Sequence, residues 1–190
     1  MQKDDRSLRR SYFIISFIGS MRKNVSTAYL GLGSNLGDRA ANLLRAVVAL
    51  SHSDLRVSAM SSIYETEPVD CPDQPKFLNM VVAVESPRIE PFSLLGFCLA
   101  TEASLGRERM IPKGARTMDI DLLLVDDQVI DEVRDGAALT LPHPRLHLRR
   151  FVLAPLAEIA PNLVHPILGE TMANLLGTVR DSSAARIYRG

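Results

Sequence analysis

One stretch of the sequence restricts the fold more than any other: residues 118–125 are apolar except for Asp119 and Asp121. Burying one unpaired carboxylate costs several kcal/mol as an order of magnitude, so this stretch cannot be buried on all sides. Side chains two residues apart in a β-strand point to the same face. We therefore predict a strand that buries one apolar face and carries both carboxylates on the other.

Two carboxylates ~6–7 Å apart along one strand repel each other unless positive charge lies nearby. By itself, the Asp-x-Asp pattern favours a solvated strand face whose acids pair with surface arginines. The alternative is a pair of divalent cations that bridges phosphates, because carboxylates and substrate phosphates together bind such ions. Arg116, which precedes Asp119 by three residues, favours this second interpretation, since a cation beside metal-binding acids suits a polyphosphate.

A basic segment precedes this strand and contains Arg107, Arg109, Lys113 and Arg116. Such a group alone is typical of a solvated loop. Next to two aspartates it becomes a candidate phosphate clamp, because the guanidinium fork of arginine matches phosphate. Gly114 would allow the loop to move, so we predict a lid that closes over the substrate and excludes water.

Two further motifs argue against other chemistries. The segment GLGSNLG (31–37) lacks the GxGxxG spacing of dinucleotide-binding folds, so its glycines are expected to permit a tight turn and close packing. His143 and His147 are four residues apart, but Pro144 disfavours the helix that a zinc pair would need. His143, with Arg145 close by, is better interpreted as a further phosphate contact.

Hydrophobic periodicity predicts the element order β-α-β-β-α-β. The expected strands are 27–33, 57–64, 77–84 and the strand with the aspartates; the expected helices are 39–51, which Asp38 caps, and 91–105. Then follow a hairpin arm at 129–130, an extended segment at 139–144, a helix at 149–159 that Pro155 kinks or restarts, and a short last helix near 169–179. This order predicts an α+β, ferredoxin-like fold: four antiparallel strands with helices packed on one face, then a hairpin and C-terminal helical additions.

Composition limits the class of protein. The chain has 190 residues, of which 46% are hydrophobic and 23% charged, and this suits one globular domain. A net charge of zero gives no electrostatic reason to expect nucleic acid or a membrane as a partner. Cys71 and Cys98 lack metal-type spacing, so we expect free thiols and a cytoplasmic protein. We expect small-molecule partners and a monomer, although the sequence leaves the oligomeric state open.

The first 26 residues differ from the rest, with basic residues on both sides of a short apolar run at 12–18. That run is too short to span a bilayer. We predict a non-functional extension at 1–26, with Met21 as a possible true start, and a single domain at 27–190. A targeting segment is the alternative.

Four motifs occur in one order along the chain: LGLGSNLGDR (30–39), YETEPVD with DQPKFLN (64–79), LGRER with KGARTMDIDLLL (105–124), and LTLPHPRLHLRRFVLAPLAEIAP (139–161). Together they closely resemble the 6-hydroxymethyl-7,8-dihydropterin pyrophosphokinase family of folate biosynthesis, over roughly residues 27–176. The resemblance implies the ferredoxin-like fold. It also implies transfer of the β,γ-pyrophosphoryl group of ATP to the hydroxymethyl oxygen of the pterin, with release of AMP.

The resemblance further implies individual roles. Asp119 and Asp121 match the family's magnesium-binding aspartates, so two Mg²⁺ ions are implied, with ATP as co-substrate. The implied catalytic residues are these two aspartates with Arg107 and Arg116. The implied ATP-binding residues are Glu102, Arg107, Arg109, Arg116, Leu122, Thr140, His143 and Arg149, with Leu122 as an apolar wall for adenine. The implied pterin-binding residues are Thr66, Val69, Phe77, Asn79 and Phe151.

The basic loop departs from the family pattern. Lys113, Gly114 and Ala115 stand where some members carry a bulky aromatic residue, and Pro112 stands where some have arginine. This difference keeps a second hypothesis open, namely a non-catalytic ferredoxin-like module that binds pterin and nucleotide.

Overall fold

The computed structural model of this protein describes residues 25–51, 54–68, 73–106 and 114–190. Its strands are β1 (Ser26–Ser34), β2 (Arg56–Met60), β3 (Tyr64–Thr66), β4 (Phe77–Ser86), β5 (Asp119–Val125), β6 (Ile130–Arg134), β7 (Ala137–Leu141) and β8 (Ala185–Ile187). Its helices are α1 (Arg39–Ser51), α2 (Pro91–Ser104), α3 (Arg150–Ile159) and α4 (Met172–Thr178), with a 3₁₀ turn at Leu146–Leu148.

The main sheet has the strand order β5-β1-β4-β3-β8, and β2 pairs with β4 beside β3. Every pairing in this sheet is antiparallel. The prediction of an antiparallel sheet combined with helices is therefore confirmed. Strand β1 lies between β4 and β5, so residues of these three strands are neighbours across the sheet.

The strand predicted at 57–64 is interrupted. Met60 pairs with Val82 and Tyr64 with Asn79, so β2 and β3 are two pieces along one edge of β4. Between them, Ser61 forms two hydrogen bonds with Val81. The backbone N–H of Ser61 donates to Val81 O (2.9 Å), and the Ser61 hydroxyl oxygen accepts from Val81 N (3.0 Å). The side chain of Ser61 replaces one backbone partner, which explains why the regular ladder stops there.

The hairpin expected to return from β5 forms elsewhere. Strand β6 pairs with β7 in a separate two-stranded sheet, not with β5. The chain leaves β5 through Asp126, which has a positive φ of 48°. The Asp126 carboxylate accepts hydrogen bonds from Thr27 N (2.8 Å) and from the Ser26 hydroxyl, so this turn is tied to the start of β1.

Two hydrophobic cores cover the two faces of the sheet. Helices α1 and α2 cover the first face, where Leu30, Leu43 and Val82 are fully buried. Helix α3, which continues through Pro155, and helix α4 cover part of the second face, where Leu153 and Leu123 are buried. The C-terminal helical additions therefore lie opposite α1 and α2.

A β-bulge explains the long apolar run in β5. Tyr29 pairs with Leu124 and Leu30 with Leu122, so Leu123 is an extra residue without a partner in β1. As a result, Leu122 belongs to the first core while Leu123 and Leu124 both belong to the second.

Among the residues that the structure describes, no helix is long and apolar enough to cross a membrane.

Candidate active site

The floor of the candidate site is a row of residues on the second face of the sheet. Gly33 in β1 pairs with Asn79 on one side and with Asp119 on the other. Gly31 pairs in the same way with Val81 and Asp121. All these residues line one cleft. Because β1 has no side chain at positions 31 and 33, the amide and the acids share one open space.

The space above Gly33 is tight. A Cβ at Gly33 would lie 3.0 Å from Asn79 Oδ1, whereas a Cβ at Gly31 would meet the Leu123 side chain at 3.5 Å, an ordinary contact. The expectation of close packing at these glycines is confirmed for Gly33. The tight turn belongs to Gly37, which has a φ of +64°.

Asp119 and Asp121 point to the same face, as the strand alternation predicts. Arg116 Nη1 donates to Asp119 Oδ2 at 2.7 Å. Burial and the neighbouring Asp119 raise the pKa of Asp121 from 3.8 to about 6, although Arg149 and Arg116 act in the opposite direction. At Asp121, burial and the charge of Asp119 therefore outweigh the effect of the two arginines.

The chemistry of this pair suits a hard cation. No group of three or more His, Cys, Asp or Glu that could hold a metal occurs in the described part of the chain. Two carboxylates alone form an open site with oxygen ligands. Mg²⁺ matches such a site, because it is usually bound by one or two carboxylates together with substrate phosphates. The residues present thus fit Mg²⁺ as a partner of a phosphate ligand.

Glu102 supports the acidic strand from below. Its side chain, carried by α2, is 2% exposed, and it accepts a hydrogen bond of 2.7 Å from Ile120 N. Ile120 lies between the two aspartates, so Glu102 fixes the backbone that carries them. Its negative charge also contributes to the raised pKa of Asp121.

A basic wall lies beside the acids. Arg145 and Arg149 line the cleft, and the guanidinium of Arg149 lies 5.3 Å from the centre of the Phe151 ring. The backbone N–H of His143 donates to Leu123 O (2.9 Å). The ring Nδ1 of His143 accepts from Arg145 N (3.2 Å). Burial and the two arginines lower the pKa of His143 to about 4, so the ring is neutral at pH 7 and its proton is on Nε2.

The other end of the cleft is aromatic and amide-lined. Phe77 and Phe151 line it together with Thr66 and Asn79. Asn79 Nδ2 donates to Thr66 Oγ1 at 2.7 Å, and both side chains are almost fully buried. Because this bond uses the Asn79 amide nitrogen, its Oδ1 is the atom directed towards Gly33. A flat ring with N–H donors on one edge would find an acceptor there.

Asn35 is a buried residue that the sequence reasoning missed. It is 1% exposed, its N–H donates to Arg116 O (3.1 Å), and its Oδ1 accepts from Arg116 N (2.7 Å). Its Nδ2 donates to Gln74 Oε1 (3.1 Å). A single amide therefore joins the segment that leads into β5 to the segment that leads into β4. The only sequence signal was a polar residue directly after a buried strand.

The predicted site residues fall into four groups, of which the first, Glu102 and His143, has been described above and is not part of the cleft lining. The cleft brings together Thr66, Phe77, Asn79, Arg116, Asp119, Asp121, Arg149 and Phe151. Arg107, Arg109 and Val69 lie outside the described residues. The Leu122 side chain is 5% exposed in the first core, and Thr140 is exposed in β7, where its hydroxyl donates to Asp131 Oδ1 (3.1 Å).

An acid pair flanked by arginines can bind a metal–phosphate group, and the aromatic and amide-lined pocket beside it can bind a flat ring compound. Comparison with known proteins agrees. A profile of the family described as 7,8-dihydro-6-hydroxymethylpterin-pyrophosphokinase (HPPK) matches residues 29–161. The chain therefore belongs to the HPPK family.

Named relatives agree with this assignment. A 2-amino-4-hydroxy-6-hydroxymethyldihydropteridine pyrophosphokinase of Methylorubrum extorquens is 44% identical over 86% of this chain and 99% of its own length. A protein of the same name from Bacillus subtilis is 47% identical over 70% of this chain and 77% of its own. A folic acid synthesis protein of Schizosaccharomyces pombe is 39% identical, and the match spans 24% of that longer protein.

A solved structure supports the fold alone. The HPPK-DHPS protein of Plasmodium falciparum superimposes with a TM-score of 0.66 at 18% identity, over 85% of this chain and 45% of that chain.

Proposed function

We propose that this chain transfers pyrophosphate from ATP to 6-hydroxymethyl-7,8-dihydropterin, giving AMP and the pterin diphosphate, in folate biosynthesis. The observation that carries the proposal is the row Asn79–Gly33–Asp119 across three adjacent strands. It places an amide-lined pocket next to an acid pair, so a pterin hydroxymethyl group and a phosphate chain would meet above Gly33. The names of the relatives that span most of the chain support the same reaction.

The sheet is, in this proposal, a ferredoxin-like one. The order β5-β1-β4 followed by the interrupted edge strand β2 and β3 is the order that a β-α-β-β-α-β chain needs for antiparallel neighbours throughout. Strand β8 is an addition outside this edge. We also propose that the chain acts as a cytoplasmic monomer. A single species of about the mass of one chain in sedimentation would agree with a monomer.

Asp119 and Asp121 would hold magnesium, with two ions per active site as the proposed number. When bound, the ions neutralise phosphate charge and help to align an in-line displacement. The protein's own contribution is to fix the carboxylates. Glu102 holds Ile120 N between them, and Arg116 donates to Asp119.

The remaining basic groups would bind the triphosphate. Arg116 and Arg149 carry permanent charge and line the cleft. His143, neutral at pH 7, would donate one hydrogen bond from Nε2. The Leu122 side chain lies in the first core, so an adenine contact at this position would come from its main chain. The predicted lid arginines, Arg107 and Arg109, would close over the phosphates.

The pterin would lie between Phe77 and Phe151, because aromatic rings stack on a flat heterocycle. Asn79 Oδ1 would accept from the ring N–H donors, and Thr66 would fix the amide in that orientation. Val69, between β3 and β4 in the sequence, is a further proposed pterin contact.

The test is a turnover assay with ATP, Mg²⁺ and hydroxymethyldihydropterin on three variants. We expect Asp119→Ala and Asp121→Ala to lower the rate by about a hundredfold or more, because metal-assisted charge stabilisation is worth several kcal/mol. Asp127→Ala is the matched control, since this aspartate lies in the exposed turn after the same strand. Near-normal activity of both aspartate variants would refute the metal assignment. Tight binding of both substrates without AMP formation in the wild type would favour the non-catalytic module.

A further inference from the structure

The pterin pocket depends on a loop whose two ends both carry pocket residues. Thr66 ends β3 and Phe77 begins β4, and both line the cleft. Strand β3 has only three residues, so its own ladder to β4 is short. Whatever holds the two ends of this loop together therefore also sets the shape of the pocket.

Arg39 bonds to both ends of the loop. Its Nη1 donates to Glu65 Oε1 (3.0 Å), one residue before Thr66, and to the backbone carbonyl of Lys76 (2.9 Å), one residue before Phe77. The Arg39 side chain is 25% exposed and that of Glu65 33%. This partial burial protects the pair from solvent, so it is worth more than an exposed ion pair.

A second tie across the same loop is weaker. Lys76 Nζ lies 2.8 Å from Glu67 Oε1, but the two side chains are 53% and 58% exposed. Exposed pairs of this kind contribute little, because water screens them and both side chains lose entropy. Arg39 is therefore the stronger link between the loop ends.

The C-terminal strand keeps Arg39 and β3 in place. Strand β8 pairs with the outer edge of β3, with Thr66 opposite Ala185. Beyond β8, Tyr188 N donates to Ile63 O at 2.8 Å. The guanidinium of Arg39 lies 5.9 Å from the centre of the Tyr188 ring, within the range of a cation–π contact. Strand β8 thus lies along the edge of β3 opposite to β4.

A displacement of Thr66, the last residue of β3, would change the pterin pocket through one hydrogen bond, the one from Asn79 Nδ2. Thr66 Oγ1 is the acceptor that orients the Asn79 amide. Arg39 contacts the loop ends and Tyr188, and the acids and arginines of the nucleotide side are not among its partners in the described part of the chain.

We propose that Arg39 is a positioning residue for the pterin pocket, supported by Tyr188. It holds both ends of the 66–77 loop and thereby sets pterin affinity, while nucleotide affinity does not depend on it. The proposal rests on the proposed function, because it takes the pocket of Asn79 and Phe77 to be the pterin site.

The experiment compares the full-length wild type with Arg39→Gln, Arg39→Lys and Tyr188→Ala. Pterin and ATP-analogue dissociation constants are measured by calorimetry, and KM and kcat by turnover. We expect Arg39→Gln to raise the pterin Kd and KM about tenfold, because a charge-assisted hydrogen bond is lost. The ATP-analogue Kd and kcat should change less than about twofold. Arg39→Lys should keep a pterin affinity between those of the wild type and Arg39→Gln. Tyr188→Ala should also raise the pterin Kd, but by less than Arg39→Gln.

The matched control is Arg56→Gln. Arg56 also forms an ion pair across strands of the main sheet, with Glu85, but its side chain is 72% exposed and it does not line the cleft. This variant should leave both affinities unchanged. Equal weakening of pterin and ATP-analogue binding in Arg39→Gln, or a lowered melting temperature with unchanged pterin affinity, would overturn the positioning role.

The two proposals fail in different ways. A wild type that binds pterin but forms no AMP would refute the proposed function. The pterin Kd of Arg39→Gln relative to that of the wild type would still decide the role of Arg39. A wild type that binds no pterin would overturn both.

Discussion

Replacing Asp121 by asparagine should make the protein more stable and inactive at the same time. The change removes a charge that burial and Asp119 make unfavourable in the folded state, where the pKa rises from 3.8 to about 6. A shift of this size corresponds to about 3 kcal/mol at neutral pH, at ~1.4 kcal/mol per unit. For a domain of this size, that would raise the melting temperature by ~6–12 °C.

The effect has a definite pH window. Above pH 6, Asp121 is ionised in both the folded and the unfolded chain, so the wild type carries the full penalty. As the pH falls from about 6 to 3.8, the folded state takes up the proton before the unfolded state does, and the wild type recovers. Below pH 3.8 the carboxyl group is neutral in both states, so the advantage of Asp121→Asn should disappear.

His143 changes stability in the opposite direction but does not disturb this comparison. Its pKa is lowered from 6.5 to about 4 in the folded state. The unfolded chain therefore binds the proton first, and the stability that the neutral ring contributes is lost as the pH falls from 6.5 towards 4. Because wild type and variant share His143, this term cancels in their difference.

Urea unfolding without nucleotide and with a chelator, at pH 7.5 and again at pH 4, measures the difference. Asp127→Asn is the control, and as an exposed turn residue it should change the free energy of unfolding by less than ~0.5 kcal/mol. Adding Mg²⁺ with an ATP analogue should stabilise the wild type more than Asp121→Asn. A variant less stable than the wild type at pH 7.5, or an advantage of the same size at pH 4, would refute the electrostatic reasoning.

Three further changes test the geometry of the cleft. Gly33→Ala should raise the pterin KM about tenfold, because its methyl group would lie 3.0 Å from Asn79 Oδ1. Gly31→Ala is the control and should leave the pterin KM nearly unchanged. Equal effects of the two substitutions would contradict the crowding at Gly33. Arg116→Ala should lower kcat more than it raises the pterin KM, because it removes charge beside the transferring group. Phe151→Leu should raise the pterin KM about fivefold with little effect on the ATP KM, because stacking is lost while an apolar side chain remains.

Much of the scaffold could be predicted because it depends on local patterns. Helix α1 occupies the predicted residues 39–51, and Asp38 caps it through a hydrogen bond of 3.0 Å from Ala41 N to its carboxylate. The two aspartates share a face because strand alternation alone requires it. Periodicity and capping are properties of neighbouring residues, so one sequence is sufficient to recognise them.

Features that depend on distant partners could not be predicted. The bulge at Leu123 arises from the pairing of β5 with β1, and strand β8 pairs with β3, which lies far from it in the sequence. The buried roles of Asn35 and Glu102 have the same origin. Each satisfies a backbone group more than fifteen residues away, and no local signal distinguishes such a residue from a surface amide or acid.

The most direct measurement of the central claim is the identity of the nucleotide product. The full chain is incubated with ATP, Mg²⁺ and 6-hydroxymethyl-7,8-dihydropterin, and the products are separated by anion-exchange chromatography and assigned by ³¹P NMR. We expect AMP and pterin diphosphate in equal amounts, and neither product when the pterin is omitted. ADP with a pterin monophosphate, or no consumption of ATP while both substrates are bound, would contradict this expectation.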